Sequence, residues 1–265
     1  MIRAARHNKI KSLLEEEGVV SIADLAAKCD TSAVTIRRDL AMLEDEGQLA
    51  RTYGGAIALI APDKMMAPYD VRVKEFTKEK LSVANKAAEF IKNGDNLIIS
   101  AGTTMHALAL QLKRHENLKV VTNGLAVAME LAIAPGAQVL MIGGAVDSKE
   151  LATVGSLAEE LAQSIHVPKA FLGVFAVSIE HGISVHSPVE AEINRRFVNS
   201  AQEVTVVADS SKFDSQYLNP LNANFLFQIA DLGDIHRIVT DGKINSETKK
   251  SLKRLGLEVV IADIH

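Results

Sequence analysis

From Thr77 onward the chain alternates short runs of Val, Ile and Leu with stretches of helical character. The runs are "NLIIS", "LKVVTN", "AQVLMIGG", "KAFLGVFAV", "EVTVVADSS", "HRIVTD" and "LEVVIA"; the first helical stretch is "TKEKLSVANKAAEFIKNG". A strand that is apolar along its whole length has no face to give to water, and a helix between consecutive strands supplies the crossover that parallel pairing requires. The pattern therefore predicts an α/β domain with a mainly parallel sheet covered on both faces. No internal sequence repeat underlies it. In such a sheet ligands sit beyond the carboxyl ends of the strands. Here those ends read Ser100 to Thr104, Thr122 to Gly124, Gly143 to Ala145 and Asp209 to Lys212. Gly102 permits close backbone approach, Thr103 and Thr104 open the next helix where free N–H groups favour an anion, and Lys212 is placed to neutralise a phosphate. Each loop taken singly also fits ordinary helix capping; the convergence of four predicts a phosphorylated small molecule as ligand.

The 265 residues, 48% of them hydrophobic, suffice for a large core or for a small domain joined to a medium one. No apolar run approaches the roughly 20 residues of a membrane span, and "MIRAARHNKIK" lacks the apolar stretch of a signal peptide, so a cytosolic protein without membrane contact is expected. The lone cysteine, Cys29, excludes an internal disulfide and a cysteine-cluster metal site, and is expected in a core. His106, His166, His181, His186 and His236 show neither H-E-x-x-H nor close pairing with acids. They are expected in polar or core roles, with no metal and no cofactor.

The net charge of −4 argues against bulk electrostatic coating of nucleic acid, and the first sixty residues are themselves near neutral. Placement of charge then matters more than its sum. Ile10, Leu13 and Leu14 recur at helical spacing from about Ala5 to Glu17, with Gly18 as a stop. Ser21 with Asp24 three places on forms a capping box, Asp standing where Glu is usual, and opens a short helix burying Ile22, Leu25 and Cys29. Asp30, Thr31 and Ser32 supply a turn and an N-cap for a third helix running to about Glu46, with Gly47 beyond it. Ile36, Leu40 and Leu43 make its inner stripe, which leaves Arg38 nearly opposite, Arg37 on the shoulder, and Ser32 and Thr35 at the exposed first turn.

Short helix, turn and capped helix is a helix-turn-helix, whose second element enters the DNA major groove. "QLARTYGGAI" reads as two short strands around Gly54 and Gly55, carrying Arg51 and Tyr53: a wing that brings a cation and a glycine backbone to the phosphates. The acids Asp39, Glu44, Asp45 and Glu46 on the same helix also fit an ordinary solvated face.

The stretch "TIRRDLAMLEDEGQLARTYGGA", Thr35 to Ala56, resembles the signature of the DeoR-type family of bacterial sugar-metabolism repressors, where a T-I-R-R-D-L helix precedes an R-x-H-G-G-A wing. Tyr53 stands where that family usually has His. The resemblance implies a recognition helix containing Thr35, Arg37 and Arg38, and a helix-turn-helix over about Val20 to Asp39. Further on, "GTT", "VTNG", "IGG", "EAEINRRF" and "ADSSKF" occur in the order found in the DeoR-type effector domain, which is similar to the ribose-5-phosphate isomerase and CoA-transferase fold. The resemblance implies a phosphosugar pocket lined by Gly102, Thr103, Thr104, Asn123, Gly124, Gly143, Gly144 and Lys212. Two departures mark it: Ser100 where the family commonly has Asp, and Phe175 with Ala176 in place of a small polar segment. They point to an unusual effector or to weak binding. "QYLNPLNANFLFQIADLG", Gln216 to Gly233, is longer than the usual connection and is expected to pack on a partner subunit.

The expected organisation is a winged helix-turn-helix over residues 1–57, a linker over 58–76 that holds Pro62 and Pro68, and a phosphosugar-sensing α/β domain over 77–265. Ser32, Thr35, Arg37, Arg38, Arg51, Tyr53 and Gly54 are the DNA-contact candidates. The expected function is a repressor, homodimeric or homotetrameric, that binds double-stranded operator DNA and is released by a phosphorylated sugar. The rival is a sugar-phosphate isomerase with an appended DNA-binding domain, using Glu190, Glu192, Asp209 and Lys212 as base and electrophile. A winged helix has no use in simple turnover, so no catalytic residue is assigned.

Overall fold

A computed structural model of the chain describes residues 3–17, 19–45, 48–51, 54–58, 68–213 and 226–264. These fall into two compact units, one within residues 1–65 and one drawn from residues 66 onward.

The first unit holds helices α1 (Arg3–Glu17), α2 (Ile22–Lys28) and α3 (Ala33–Asp45) with strands β1 (Val19–Ser21), β2 (Leu49–Arg51) and β3 (Gly55–Ala58). Ser21 closes β1 and caps α2: its Oγ accepts the Asp24 N–H at 3.0 Å and donates to the Asp24 carboxylate at 2.7 Å. Asp30 takes a positive φ of 49° in the turn, and Ser32 Oγ accepts the Thr35 N–H at 3.2 Å to start α3. Ile10, Leu14, Leu25, Cys29, Ile36, Leu40 and Leu43 form one buried cluster, closed by Val20, Leu49 and Ala56 from the strands. The sheet has three antiparallel strands in the order β1-β3-β2, where the sequence predicts two. β1 spans three residues, too few to show a period of two. Its closeness to β3 leaves no room at Gly55, where a Cβ would lie 2.1 Å from the Val20 carbonyl oxygen.

Asp39 corrects the reading of α3 as a uniformly solvated outer face. It is buried, and its carboxylate accepts Arg6 Nε at 2.5 Å and Arg6 Nη2 at 3.1 Å, with His7 Nε2 at 3.1 Å. The carboxylate thereby ties α3 to α1. Gly18, Glu46, Gly47 and Tyr53, and residues 59–67 of the predicted linker, lie outside the described residues.

The second unit is built on a seven-stranded sheet, parallel throughout: β4 (Asn96–Ile99), β5 (Leu118–Thr122), β6 (Ala137–Met141), β9 (Val167–Leu172), β12 (Ala201–Val207), β14 (Arg237–Asp241) and β15 (Glu258–Ala262), in the order β15-β14-β12-β9-β4-β5-β6. Alternate residues enter different cores. Leu97, Ile99, Phe171, Val207 and Val239 pack with helices α5 (Thr77–Ala88), α6 (Thr103–Gln111) and α7 (Leu125–Ala132). Ile98, Leu172, Val206 and Ile238 pack with α8 (Ser156–Gln163), α9 (Pro188–Asn199) and α10 (Ser246–Arg254). Burial on both faces is why these strands read as unbroken apolar runs.

Two antiparallel additions were not legible in the alternation. One is the hairpin of β7 (Ala145–Asp147) and β8 (Ala152–Val154). The other joins β10 (Ala176–Ser178), β11 (Gly182–Val185) and β13 (Phe227–Ala230) into a three-stranded sheet. The run "KAFLGVFAV" is thus two strands: β9 ends at Leu172 and β10 leaves for the second sheet. Gln216 to Phe225, the first part of the segment expected on a partner subunit, lie outside the described residues. A short helix α4 (Tyr69–Arg72) stands inside the predicted linker and belongs to the second unit, held by buried Tyr69, whose Oη lies 2.8 Å from His106 Nδ1.

Burial pushes the Asp39 carboxyl up, but the bonds from Arg6 and His7 outweigh it and hold the group below its ordinary value of 3.8. A depressed carboxyl stabilises the fold above its unfolded value, and this is lost as pH falls through the folded value. In the full chain, Asp39→Ala is expected to lower the thermal midpoint at neutral pH. The gap from wild type should close on acidification below about pH 4, as followed by circular dichroism.

Candidate functional sites

The exposed side of α3 carries Arg37 and Arg38, both solvent-facing, with exposed Ser32 and half-buried Thr35 at its first turn. Val34, 62% exposed, stands beside them; the sequence reading missed it because a lone exposed valine breaks no pattern. Two of the acids that balance these cations in sequence are engaged elsewhere in space. Asp39 is buried against α1, and Glu44 is occupied by Arg51, accepting its backbone N–H at 3.0 Å and its Nε at 2.6 Å. Those two bonds hold the Glu44 carboxyl below its ordinary range. A segment of near-zero net charge thus presents two adjacent guanidinium groups at the N-terminal half of a helix, the part that enters a major groove in helix-turn-helix proteins. Arg51 has its Nε engaged by Glu44, so its guanidinium is fixed at the start of the wing. Gly54 is exposed and its backbone carbonyl accepts the Ile22 N–H at 2.8 Å.

In the second unit the strand order reverses beside β4: the chain proceeds outward through β5 and β6, then returns to β9 on the other side. The carboxyl ends of β4 and β9 flank this switch point, where open α/β sheets form their ligand crevice. Ser100, 1% exposed, joins the two ends, its Oγ accepting the Gly173 N–H at 3.0 Å. Gly102 follows with φ of 119° and open space where a Cβ would be; it caps α6 with no side-chain bond, ahead of buried Thr103 and Thr104. Asn123 spans between loops: Oδ1 accepts the Ala101 N–H at 3.1 Å, and Nδ2 donates to the Thr153 carbonyl at 3.2 Å. Gly124 and Gly144 are positions of close packing, where a Cβ would come within 3.0 Å of Ala101 Cα and 2.6 Å of the Val154 carbonyl oxygen respectively. At Gly143 the space is open.

Lys212 sits on a 3-10 turn, Ser210–Phe213, with Nζ 5.3 Å from the centre of the Phe175 ring. Lys80 of α5 is close enough to feel it. Burial first, and the Lys212 charge second, bring the Lys80 ammonium down to about 8, and its Nζ donates to the Arg72 carbonyl at 2.5 Å. Lys80 was overlooked, although a signal existed. It precedes buried Val83, Ala84 and Ala87 at helical spacing, so a lysine stands on the apolar stripe of α5. Arg72 was overlooked because it falls in the predicted linker; its Nη2 donates to Glu150 Oε2 at 2.8 Å and to the Lys149 carbonyl at 2.9 Å.

Beyond Arg72 lie His186, whose Nε2 is 3.4 Å from Glu150 Oε1, and Glu190 in the first turn of α9. Glu190 is buried; burial, then the Glu150 charge, push its carboxyl well above the ordinary range, while burial lowers His186. Glu192 turns away and pairs with Arg195 and Arg196 at 2.9 and 2.6 Å. His106 pairs with Glu130 at 3.2 Å. The absence of His–acid pairing in sequence therefore does not hold in space for His106 or His186.

Comparison with known proteins covers both units. A family model described as the DeoR-like helix-turn-helix domain matches residues 6–60, and one described as the DeoR C terminal sensor domain matches residues 75–242. A putative aga operon transcriptional repressor of Escherichia coli O157:H7 is 36% identical over 258 residues, covering 97% of this chain and 93% of the relative. The HTH-type transcriptional repressor GlcR of Bacillus subtilis (strain 168) is 30% identical over 263 residues, 99% of this chain and 98% of the relative. Among solved structures, ribose 5-phosphate isomerase A from Methanocaldococcus jannaschii aligns with a TM-score of 0.36 and 16% identity over 51% of this chain and 53% of its own.

Ser100→Ala removes the acceptor of the Gly173 N–H at the switch point. Its expected cost is about 1–3 kcal/mol of unfolding free energy, the usual penalty for an orphaned backbone donor, measured by urea denaturation.

Proposed function

We propose that this chain, which belongs to the DeoR family of helix-turn-helix transcriptional regulators, represses a carbohydrate catabolic operon and releases its operator when a phosphorylated sugar occupies the strand ends of the second unit. The observation that carries the DNA-binding half is the disposition of charge on α3, where Arg37 and Arg38 face solvent while Asp39 and Glu44 are engaged by protein cations. Arginine reads guanine bidentately or clamps phosphate, and Ser32 and Thr35 reach either. Val34 adds an apolar surface suited to a thymine methyl group. Arg51, Gly54 and Tyr53 complete the interface as the wing.

The sensing half is supported by the convergence of uncapped α6, the open backbone at Gly102 and the cations Lys80 and Lys212 beside the switch point. Backbone N–H groups at Gly102, Thr103 and Thr104 would take the phosphate with Lys212, while the loops at Asn123, Gly124, Gly143 and Gly144 shape the rim. A homodimer or homotetramer would set two recognition helices at half-sites about 34 Å apart. Effector binding then favours a subunit arrangement that loses this spacing. Duplex DNA as target puts the protein in the cytosol. A regulator of this kind shows no steady-state turnover of sugar phosphates; an isomerase would.

Footprinting of the full chain on genomic DNA identifies the operator. In mobility-shift titrations on that site, Arg38→Ala is expected to lose about 1–3 kcal/mol of binding if Arg38 reads a base. Unchanged affinity removes Arg38 from the interface. Lys212→Ala is expected to keep operator binding and lose release by the sugar phosphate. A phosphate beside Lys80 favours its charged form and raises it from about 8, so binding near pH 8 takes up protons. Calorimetry in buffers of different ionisation enthalpy reads this uptake, which Lys80→Met abolishes.

A further inference from the structure

We propose that Glu150, His186 and Glu190 form a binding site for one divalent transition-metal ion, zinc being the best fit. One donor atom from each lies within 4.8 Å of the others, although the residues come from the β7–β8 loop, the end of β11 and the first turn of α9. Tetrahedral metal bonds of about 2.0–2.2 Å put donors roughly 3.4 Å apart, so the widest separation must close by about an ångström or more, a change that rotation of the two glutamate side chains supplies. The inference is independent of the sugar-phosphate reading.

Two features single this cluster out from surface acids. Glu150 and Glu190 are 4% and 8% exposed, so two carboxyl groups share one enclosed space, with Arg72 on Glu150 and Lys149 close enough to act on His186. Arg72 takes Glu150 Oε2, which leaves Oε1 toward His186. Among the described residues Glu190 Oε2 and His186 Nδ1 are buried with no hydrogen-bond partner. Buried polar atoms are nearly always paired, and a buried carboxyl beside another costs free energy unless a cation joins them. A divalent ion would engage Glu190 Oε2 and one ring nitrogen of His186 and neutralise both carboxylates.

The donor chemistry narrows the ion. Two carboxylate oxygens and one imidazole nitrogen suit zinc or a neighbouring first-row metal, whereas calcium and magnesium take all-oxygen shells. Arg72, bonded to the non-ligating oxygen of Glu150, would orient that carboxylate as outer partners of metal sites do. Three protein donors leave a coordination position open. Phe175 packs edge-on against His186 with ring centres 5.3 Å apart and also lies against Lys212, so the ion would stand one aromatic ring from that cation.

The test uses the full chain, stripped with a chelator, titrated with zinc chloride in a calorimeter and with cobalt(II) followed by its visible absorption. Wild type is expected to take up one ion per chain at micromolar free zinc and to develop cobalt bands. Glu190→Gln and His186→Ala are each expected to weaken binding by at least about tenfold while keeping wild-type circular dichroism. His181→Ala serves as control, because His181 is exposed and remote from this cluster in its bonding. Should Glu190→Gln fail to fold, Glu150→Gln takes its place. Absence of a stoichiometric ion in wild type overturns the proposal, as does wild-type affinity in His186→Ala together with either glutamine variant.

Discussion

Parallel pairing of all seven strands in the large sheet is the constraint on which the second unit depends. A parallel neighbour can be reached only by a crossover, so helices must lie over both faces, and every strand must be apolar on both sides. The same rule brings all carboxyl ends to one edge. There, chain order reverses beside β4, the place where open α/β sheets form their ligand crevice. Ser100 and Asn123 use their side chains to hold the strand-end loops in place, through the Gly173 and Ala101 N–H groups. The candidate residues at the strand ends therefore divide by chemistry. Some carry the loops' own hydrogen bonds, and others, such as Gly102, leave backbone open to a ligand.

In the first unit the decisive step is the pairing of negative charge with protein cations. Asp39 goes inward to Arg6 and His7, Glu44 goes to Arg51, and Arg37 and Arg38 stay exposed on α3. One ion pair thus serves two ends: it fastens the helix to α1 and unmasks the cations. A near-neutral segment can in this way offer a basic face, and a net-charge argument drawn from the whole segment misses it.

The polar groups around the switch point share one origin. Helix α4, the first turn of α9, the β7–β8 loop and the 3-10 turn at Lys212 each bring one or two charged side chains to a place that the sheet walls off from water. Lys80 loses proton affinity there and Glu190 gains it, because burial penalises each charged form. The cation and the acid move in opposite directions for the same reason, and Arg72 acts on both.

From the sequence alone came the family, the winged helix-turn-helix, the parallel α/β sheet and the exposure of Arg37 and Arg38. The family came from the resemblance of its motifs; the rest is written in local periods: a three-residue capping interval, a stripe at i, i+4 and i+7, and apolar runs of strand length. Only the tertiary structure decided that Asp39 is buried, that Lys80 and Arg72 approach the strand ends, and that Glu150, His186 and Glu190 meet. The partners in those contacts lie on different elements, from four residues apart for His186 and Glu190 to more than a hundred for Lys80 and Lys212. Periodicity reports which way a side chain points from its own helix or strand. What it meets there is set by the packing of other elements, and no local pattern encodes that.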